Sequence, residues 1–169
     1  MKRALNKVYC LLYAVLAILA LGGCMAEPPE KAAREFLTAY YTSDTARYRD
    51  CKEKMEKELE SAAANGEEQF FKAFEEYDNI FRPLTTEACL EKIFANRLML
   101  KTDELAAELG ADVEPEKIEL SNRQGEDTVQ AYTYEVTFSE KSNLPKETGR
   151  ISVESGKVSS VSYTHLTLP

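Results

Sequence analysis

The stretch that decides the fold is YTYEVTF, residues 132–138, in which large apolar side chains alternate with polar ones. Successive side chains of a strand point to opposite faces, so this alternation predicts a strand with one buried face. Shorter patterns of the same kind flank it, with apolar positions at Ile118, Leu120, Ile151, Val153 and Val158. Turn residues stand between them, QGED at 124–127 and SG at 155–156. We therefore expect an antiparallel sheet of three to four C-terminal strands, the last of them cut short.

Upstream of the sheet the apolar residues recur at helical spacing. The first three predicted helices run from Pro28 to about Tyr41, from Ser43 or Asp44 to Asn65, and through Phe70 to Phe81. The fourth begins at Thr86 and continues past Phe94, with Arg97 on its buried face. The fifth runs from Thr102 or Asp103 to Gly110, with Leu105 and Leu109 facing inward. Helices first and an antiparallel meander afterwards predict one α+β domain, residues 30–159, with its helices packed on one face of the sheet.

A basic and then apolar segment precedes this domain. Lys2, Arg3 and Lys7 come before an apolar run from Val8 to Leu21, which is shorter than the roughly 20 residues that a membrane-spanning helix needs. This is the pattern of a secretory signal that is removed from the mature protein.

The end of that run, Leu21-Gly22-Gly23-Cys24, resembles the lipobox of bacterial lipoproteins. The resemblance implies that a signal peptidase recognises Leu21, Gly22 and Gly23 and cleaves after residue 23, and that Cys24 carries the lipid. Residues 24–29 would be the lipidated tether, and the protein would sit on the extracytoplasmic face of the cell membrane, with a Gram-positive envelope favoured. An ordinary secretory signal or an uncleaved anchor is the alternative.

The other end of the chain, VSYTHLTLP at 161–169, resembles a translated sequencing adaptor, whose first codon would be that of Ser160. We therefore expect residues 160–169 to be foreign to the protein and the natural sequence to continue past Ser159. This segment holds the one histidine of the chain, His165, so the expectation removes imidazole from any predicted site.

The charge of the predicted mature chain limits its partners. Residues 24–169 hold all 29 acidic residues and 18 of the 21 basic ones, which gives a net charge of −11. Such a surface is repelled by phosphate backbones, so nucleic acid is not an expected partner. The expected partners are the membrane, through the lipid on Cys24, and an envelope protein, a peptide or a small apolar ligand.

Two cysteines, Cys51 and Cys89, remain in the predicted domain. Outside the cytoplasm they can form a disulfide, and as members of apolar helix stripes they can equally serve as buried thiols. Two cysteines about forty residues apart without histidine do not predict a zinc site, whose ligands come in close pairs. Calcium loops and phosphate-binding glycine loops are also absent from the sequence, so neither a metal nor a cofactor is predicted.

The order of elements resembles the NTF2-like, cystatin-type α+β cone and small uncharacterised lipoproteins of Firmicutes. The residues that carry this likeness are EKAAREFLTAYY at 30–41, LTTE at 84–87 with Asn96-Arg97, and the terminal strands. The likeness implies an apolar pocket between sheet and helices. Its candidate lining is Phe36, Tyr40, Tyr48, Tyr77, Tyr132 and Tyr134, with Asp44 and Arg97 as the ionisable candidates.

These observations lead to two hypotheses about function. The first is a lipid-anchored binding or accessory domain of the cell envelope with no catalytic residues. The alternative is a pocket enzyme of the isomerase, cyclase or dehydratase type, in which a carboxylate inside the pocket moves a proton. If these residues have only structural roles, the tyrosines fill the core, Asp44 caps a helix and Arg97 pairs with a nearby carboxylate. An enclosed cavity with an inward-pointing ionisable side chain would favour the enzyme.

Overall fold

A computed structural model describes residues 28–65, 72–126, 128–142 and 144–163. Within these residues five α-helices precede the strands: α1 (Pro29–Tyr41), α2 (Thr45–Asn65), α3 (Glu75–Phe81), α4 (Glu87–Ala95) and α5 (Lys101–Leu109). Four strands follow: β1 (Pro115–Glu126), β2 (Val129–Phe138), β3 (Glu147–Glu154) and β4 (Lys157–Tyr163). Short 3-10 turns lie at Lys72–Phe74, Leu98–Leu100 and Glu140–Ser142.

The strands form one antiparallel sheet in the order β1-β2-β3-β4. Burial alternates along β2 as the sequence predicts, because Tyr132, Tyr134, Val136 and Phe138 face the helices while the residues between them are half-exposed. Helix α1 contacts β1, β3 and β4, and α4 contacts β4. The predicted class, α+β with N-terminal helices on one face of a four-stranded antiparallel sheet, is confirmed.

Several helix ends follow the predicted chemistry. The side chain of Thr86 caps α4 by accepting a hydrogen bond from the amide of Cys89, and Gly110 ends α5 in the left-handed conformation with φ +72°. Pro28 and Pro29 open α1, where a missing amide proton costs nothing.

Other boundaries were predicted wrongly. Helix α5 begins at Lys101, so Thr102 and Asp103 do not cap it but are buried inside its first turn. Leu109, expected to face inward, is 37% exposed. Strand β1 continues through Glu126, so the turn is shorter than the predicted QGED segment. The predicted third helix is a 3-10 turn followed by α3, and Phe70 and Phe71 lie outside the described residues.

Strand β4 extends beyond Ser159, and its main chain pairs with β3 as far as Tyr163 opposite Gly149. Main-chain pairing does not depend on which side chains are present, so it does not test whether residues 160–169 are foreign to the protein. Their foreign origin stays a prediction.

Candidate functional site

The aromatic residues predicted to line a pocket are packed against one another instead. Phe36, Tyr40, Tyr77, Tyr132 and Tyr134 are each at most 4% exposed and belong to the hydrophobic core. The Phe36 ring lies 5.9 Å from that of Tyr40 and 5.8 Å from that of Phe81. These distances are those of ordinary aromatic packing. These five aromatic residues are therefore members of the hydrophobic core.

Tyr48 differs from the others because it is half-buried at the edge of the core. The ammonium of Lys52 lies 5.7 Å from its ring centroid. Partial burial and the nearby Glu104 carboxylate raise the pKa of the Tyr48 hydroxyl, so it stays protonated at neutral pH.

The hydroxyls of two buried tyrosines meet on the inner face of the sheet. The Tyr41 and Tyr134 oxygens are 3.1 Å apart, and the Tyr134 hydroxyl also donates to the carbonyl of Ser162 at 3.2 Å. Burial, followed by the neighbouring Tyr134, raises the pKa of Tyr41 far above its ordinary value. The pair therefore acts as neutral hydrogen-bonding groups in the core.

Tyr134 reaches that carbonyl by passing over Gly149, its cross-strand partner on β3. A Cβ atom at Gly149 would lie 2.5 Å from the Tyr134 hydroxyl and 2.1 Å from the Ser162 carbonyl oxygen. Both distances are far below van der Waals contact, so only glycine fits here.

The two ionisable candidates lie elsewhere. Asp44 caps α2, because its Oδ1 accepts hydrogen bonds from the amides of Ala46 and Arg47 at 2.9 and 3.0 Å. Arg97 was predicted on the buried face of the fourth helix and in the pocket lining. The structure corrects this: Arg97 is exposed and sits in a left-handed turn after α4, with φ +52°. The turn rotates its side chain off the helical stripe.

The most highly connected ionisable residue, Asp103, was missed as a candidate from the sequence. Its side chain is 1% exposed and accepts hydrogen bonds from three residues. The Arg47 guanidinium donates to both carboxylate oxygens at 3.0 to 3.1 Å, the Tyr77 hydroxyl donates at 2.5 Å, and the Asp44 amide donates at 2.8 Å. We call Asp103, Arg47 and Tyr77 the buried junction, since they join α5, α2 and α3.

Electrostatics supports a structural role for this junction. Burial alone would lower the pKa of Arg47, but the Asp103 carboxylate and the Tyr77 hydroxyl raise it, so the guanidinium remains charged. Burial and the hydrogen bond to Asp103 raise the pKa of Tyr77 well above its usual range. The guanidinium carbon also lies 5.0 Å from the centre of the Tyr77 ring, a cation–π distance. Charge-assisted hydrogen bonds from Arg47 and Tyr77 to Asp103 therefore hold α2, α3 and α5 together.

One sequence signal pointed to this junction. Arg47 is four residues before Cys51 and therefore lies on the same side of α2 as the predicted apolar stripe. A charged residue at such a position needs a partner in the core, but the sequence does not say which one.

Cys51 and Cys89 are both buried and both free thiols. Of the two expectations, the structure therefore contains the packed thiols and not the disulfide. Burial raises the pKa of the Cys51 thiol to about 11, and burial also raises that of Cys89. Neither thiol is activated as a nucleophile.

Among the described residues there is no group of three or more His, Cys, Asp or Glu side chains placed to hold a metal ion. An open groove of about 270 Å³ lies between α1 and the beginning of β1, lined by Arg34, Thr38, Thr42 and residues 114–118. None of the predicted pocket residues lines it.

The lipobox residues Leu21, Gly22, Gly23 and Cys24 lie outside the described residues. Within the described part of the chain, no helix is both long enough and apolar enough to cross a membrane. Comparison with known proteins finds no matching family model, no matching curated protein and no matching solved structure.

Proposed function

We propose that this protein is a lipid-anchored, extracytoplasmic binding or accessory domain of the cell envelope. The observation that carries the proposal is Leu21-Gly22-Gly23-Cys24 directly after a basic start and a short apolar run. A thiol at that position accepts a diacylglycerol group, and buried acyl chains contribute about 0.8 kcal/mol of membrane affinity per methylene. Two or more chains on Cys24 would hold the domain at the membrane surface.

The start of the folded domain is compatible with this attachment. Pro28, which precedes α1, is only four residues after Cys24, so the domain would stand close to the membrane. The net charge of −11 in residues 24–169 would keep such a domain soluble at high surface density.

The filled aromatic core favours a binding role at the surface over a reaction inside a pocket. The enzyme hypothesis needs an ionisable side chain in an enclosed cavity, whereas Asp44 caps α2 and Arg97 is exposed. The outer face of the sheet carries partly exposed Thr133, Glu135 and Thr137 and exposed Thr148 and Arg150. A polar surface of this kind suits a protein or peptide partner better than a small apolar ligand.

The lipidation can be tested by metabolic labelling with an alkyne analogue of palmitate in a bacterium that makes lipoproteins. We expect the wild-type protein to be labelled and to fractionate with membranes, and Cys24→Ala to lose both properties. Cys10→Ala removes a thiol of the signal and is the matched control, so it should keep the label. Labelling that survives in Cys24→Ala would refute the proposal.

A further inference from the structure

Helix α1 runs antiparallel to β1. The N-terminus of α1 therefore lies toward the end of the sheet at which β1 ends. The Ser43 hydroxyl, just after α1, bonds to the main chain of Val113, just before β1. Nearer the start of the helix, the Arg34 guanidinium donates to the carbonyl of Ile118. The first residues of α1 therefore lie further along β1, on the side toward the β1–β2 hairpin.

The hairpin extends past the beginning of α1. Pro29 is five residues before Arg34, which corresponds to about 7.5 Å along the helix axis. The same length is covered by about two residues of strand, so Pro29 lies beside Leu120, two residues beyond Ile118 on β1. Strand β1 carries an irregularity between Ser121 and Gln124, so the hairpin from Leu120 to Gly125 is measured on β2, where it spans the four residue steps from Tyr134 to Gln130, about 13 Å. The hairpin tip, defined as residues 123–125 with 128 and 129, thus projects beyond α1 in the direction from which the chain enters the helix.

The tip is an exposed surface with one apolar and one basic side chain. Val129 is 40% exposed, and Arg123 is exposed as well. The β3–β4 turn lies beside it, because the amide of Ser155 donates to the carbonyl of Thr128 at 3.4 Å. Two tight turns therefore form one end of the sheet.

The length of chain before α1 matches this projection. The five residue steps from Cys24 to Pro29 reach at most about 18 Å, whatever their conformation. A lipid on Cys24 places that residue at the headgroups, so the start of α1 can be no further than this from the membrane surface. The projection of the hairpin tip, about 13 Å, lies within this reach, so the tip can contact the headgroups.

We propose that the end of the domain formed by the two hairpin turns faces the membrane, with the hairpin tip against the lipid headgroups. This rests on the proposed lipidation of Cys24. The tether decides the orientation and surface charge does not, because acidic residues lie at both ends, Glu154 near the tip and Asp112 at the opposite end. The opposite end of the sheet, and any partner-binding surface there, would point away from the membrane.

The orientation can be tested by energy transfer from a fluorophore on the protein to rhodamine headgroup lipid. The full-length lipidated protein is added to vesicles of equal parts phosphatidylglycerol and phosphatidylcholine. Thr128→Cys places the label at the tip, and Ala111→Cys, also exposed in a turn, is the matched control at the opposite end. Ser155→Cys and Ser139→Cys form a second pair with the same placement. The parent protein, with Cys51 and Cys89 buried, reports background labelling.

We expect at least about twofold higher transfer from residue 128 than from residue 111, since the 10 residues of β2 span about 33 Å. Equal transfer from both pairs, as for a domain lying on its side, or higher transfer from the 111 and 139 labels, would overturn the orientation. Palmitate labelling is measured on the same samples. Loss of that label refutes the lipid anchor itself, whereas retained label with equal transfer refutes only the orientation.

Discussion

Two arginine clusters of similar composition occur in this domain, one buried and one exposed. In the buried junction the Arg47 and Asp103 side chains are 14% and 1% exposed. On the surface Arg82 contacts Asp78 at 2.7 Å and Glu87 at 3.1 Å, and the three side chains are 54%, 31% and 68% exposed. The distances are alike, so distance alone would predict equal contributions of the two clusters to stability.

The surroundings separate them. An exposed ion pair exchanges water contacts for a screened attraction and gains little. A buried pair loses its hydration entirely, so removal of one member leaves an uncompensated charge inside the protein. The comparison predicts that loss of Asp103 destabilises the domain strongly, while loss of Asp78 or Glu87 has little effect.

The largest effect is expected from Asp103→Asn, which keeps the shape of the side chain but leaves the Arg47 charge without its partner. We expect the free energy of unfolding to fall by about 3–5 kcal/mol, as for other broken buried ion pairs. Urea denaturation followed by circular dichroism measures it. A loss below about 1 kcal/mol would mean that the junction behaves like a surface ion pair.

The next effect is expected from Tyr77→Phe, which removes only the hydroxyl that donates to Asp103. Hydrogen bonds to charged groups contribute about 1.5–3 kcal/mol, so the loss in the same urea experiment should be of that size and smaller than for Asp103→Asn. The phenyl ring keeps its packing beneath Arg47, which makes the variant specific for the hydroxyl.

Alkaline titration provides a second measurement on Tyr77→Phe. Folding raises the pKa of Tyr77, so in alkali the unfolded chain loses this proton before the folded one does. The contribution of Tyr77 to stability should be constant below the ordinary tyrosine value of about 10 and fall as pH rises above it. Tyr77→Phe should fall less steeply than the wild type, and an unchanged slope would contradict the assignment.

The smallest effect is expected from Asp78→Asn in the exposed cluster. Arg82 keeps Glu87 as a partner and stays in contact with water, so the unfolding midpoint should not change measurably. A destabilisation comparable to that of Tyr77→Phe would show that exposure does not distinguish the two clusters. At high salt the wild type and Asp78→Asn should have nearly the same stability, because salt screens the exposed ion pair.

The sequence predicted the fold class well because each strand and most helices carry their own periodicity. The alternation at 132–138 needed no knowledge of the rest of the chain, and Gly110 and Thr86 ended or began helices through local chemistry. Asp103 was beyond such reasoning because its partners lie 26 to 59 residues away. Its position near the start of α5 resembles a cap, and local rules could not reveal that three donors surround it.

Arg97 shows the opposite failure, because a helical pattern was extended too far. The sequence spacing of Leu90, Ile93 and Arg97 fits a continuous helix, but α4 ends at Ala95 and the chain turns through the left-handed region. Asn96, which directly follows α4, was a local stop signal weaker than glycine or proline, and the apolar spacing was given more weight. Periodicity likewise predicted that Phe36, Tyr40 and Tyr134 face inward, but it does not say whether inward-facing side chains leave space between them.

The contact of Tyr134 with β4 has a consequence for which substitutions the C-terminal strand tolerates. The Tyr134 hydroxyl binds a main-chain carbonyl, while the side chain of Ser162 itself is exposed. Any residue that keeps the strand paired supplies the same carbonyl, so position 162 should tolerate many substitutions in a library of variants. Gly149, directly beneath the tyrosine, has no such freedom, because even one methyl group would collide with both partners. Two neighbouring positions on paired strands therefore differ sharply in mutational tolerance.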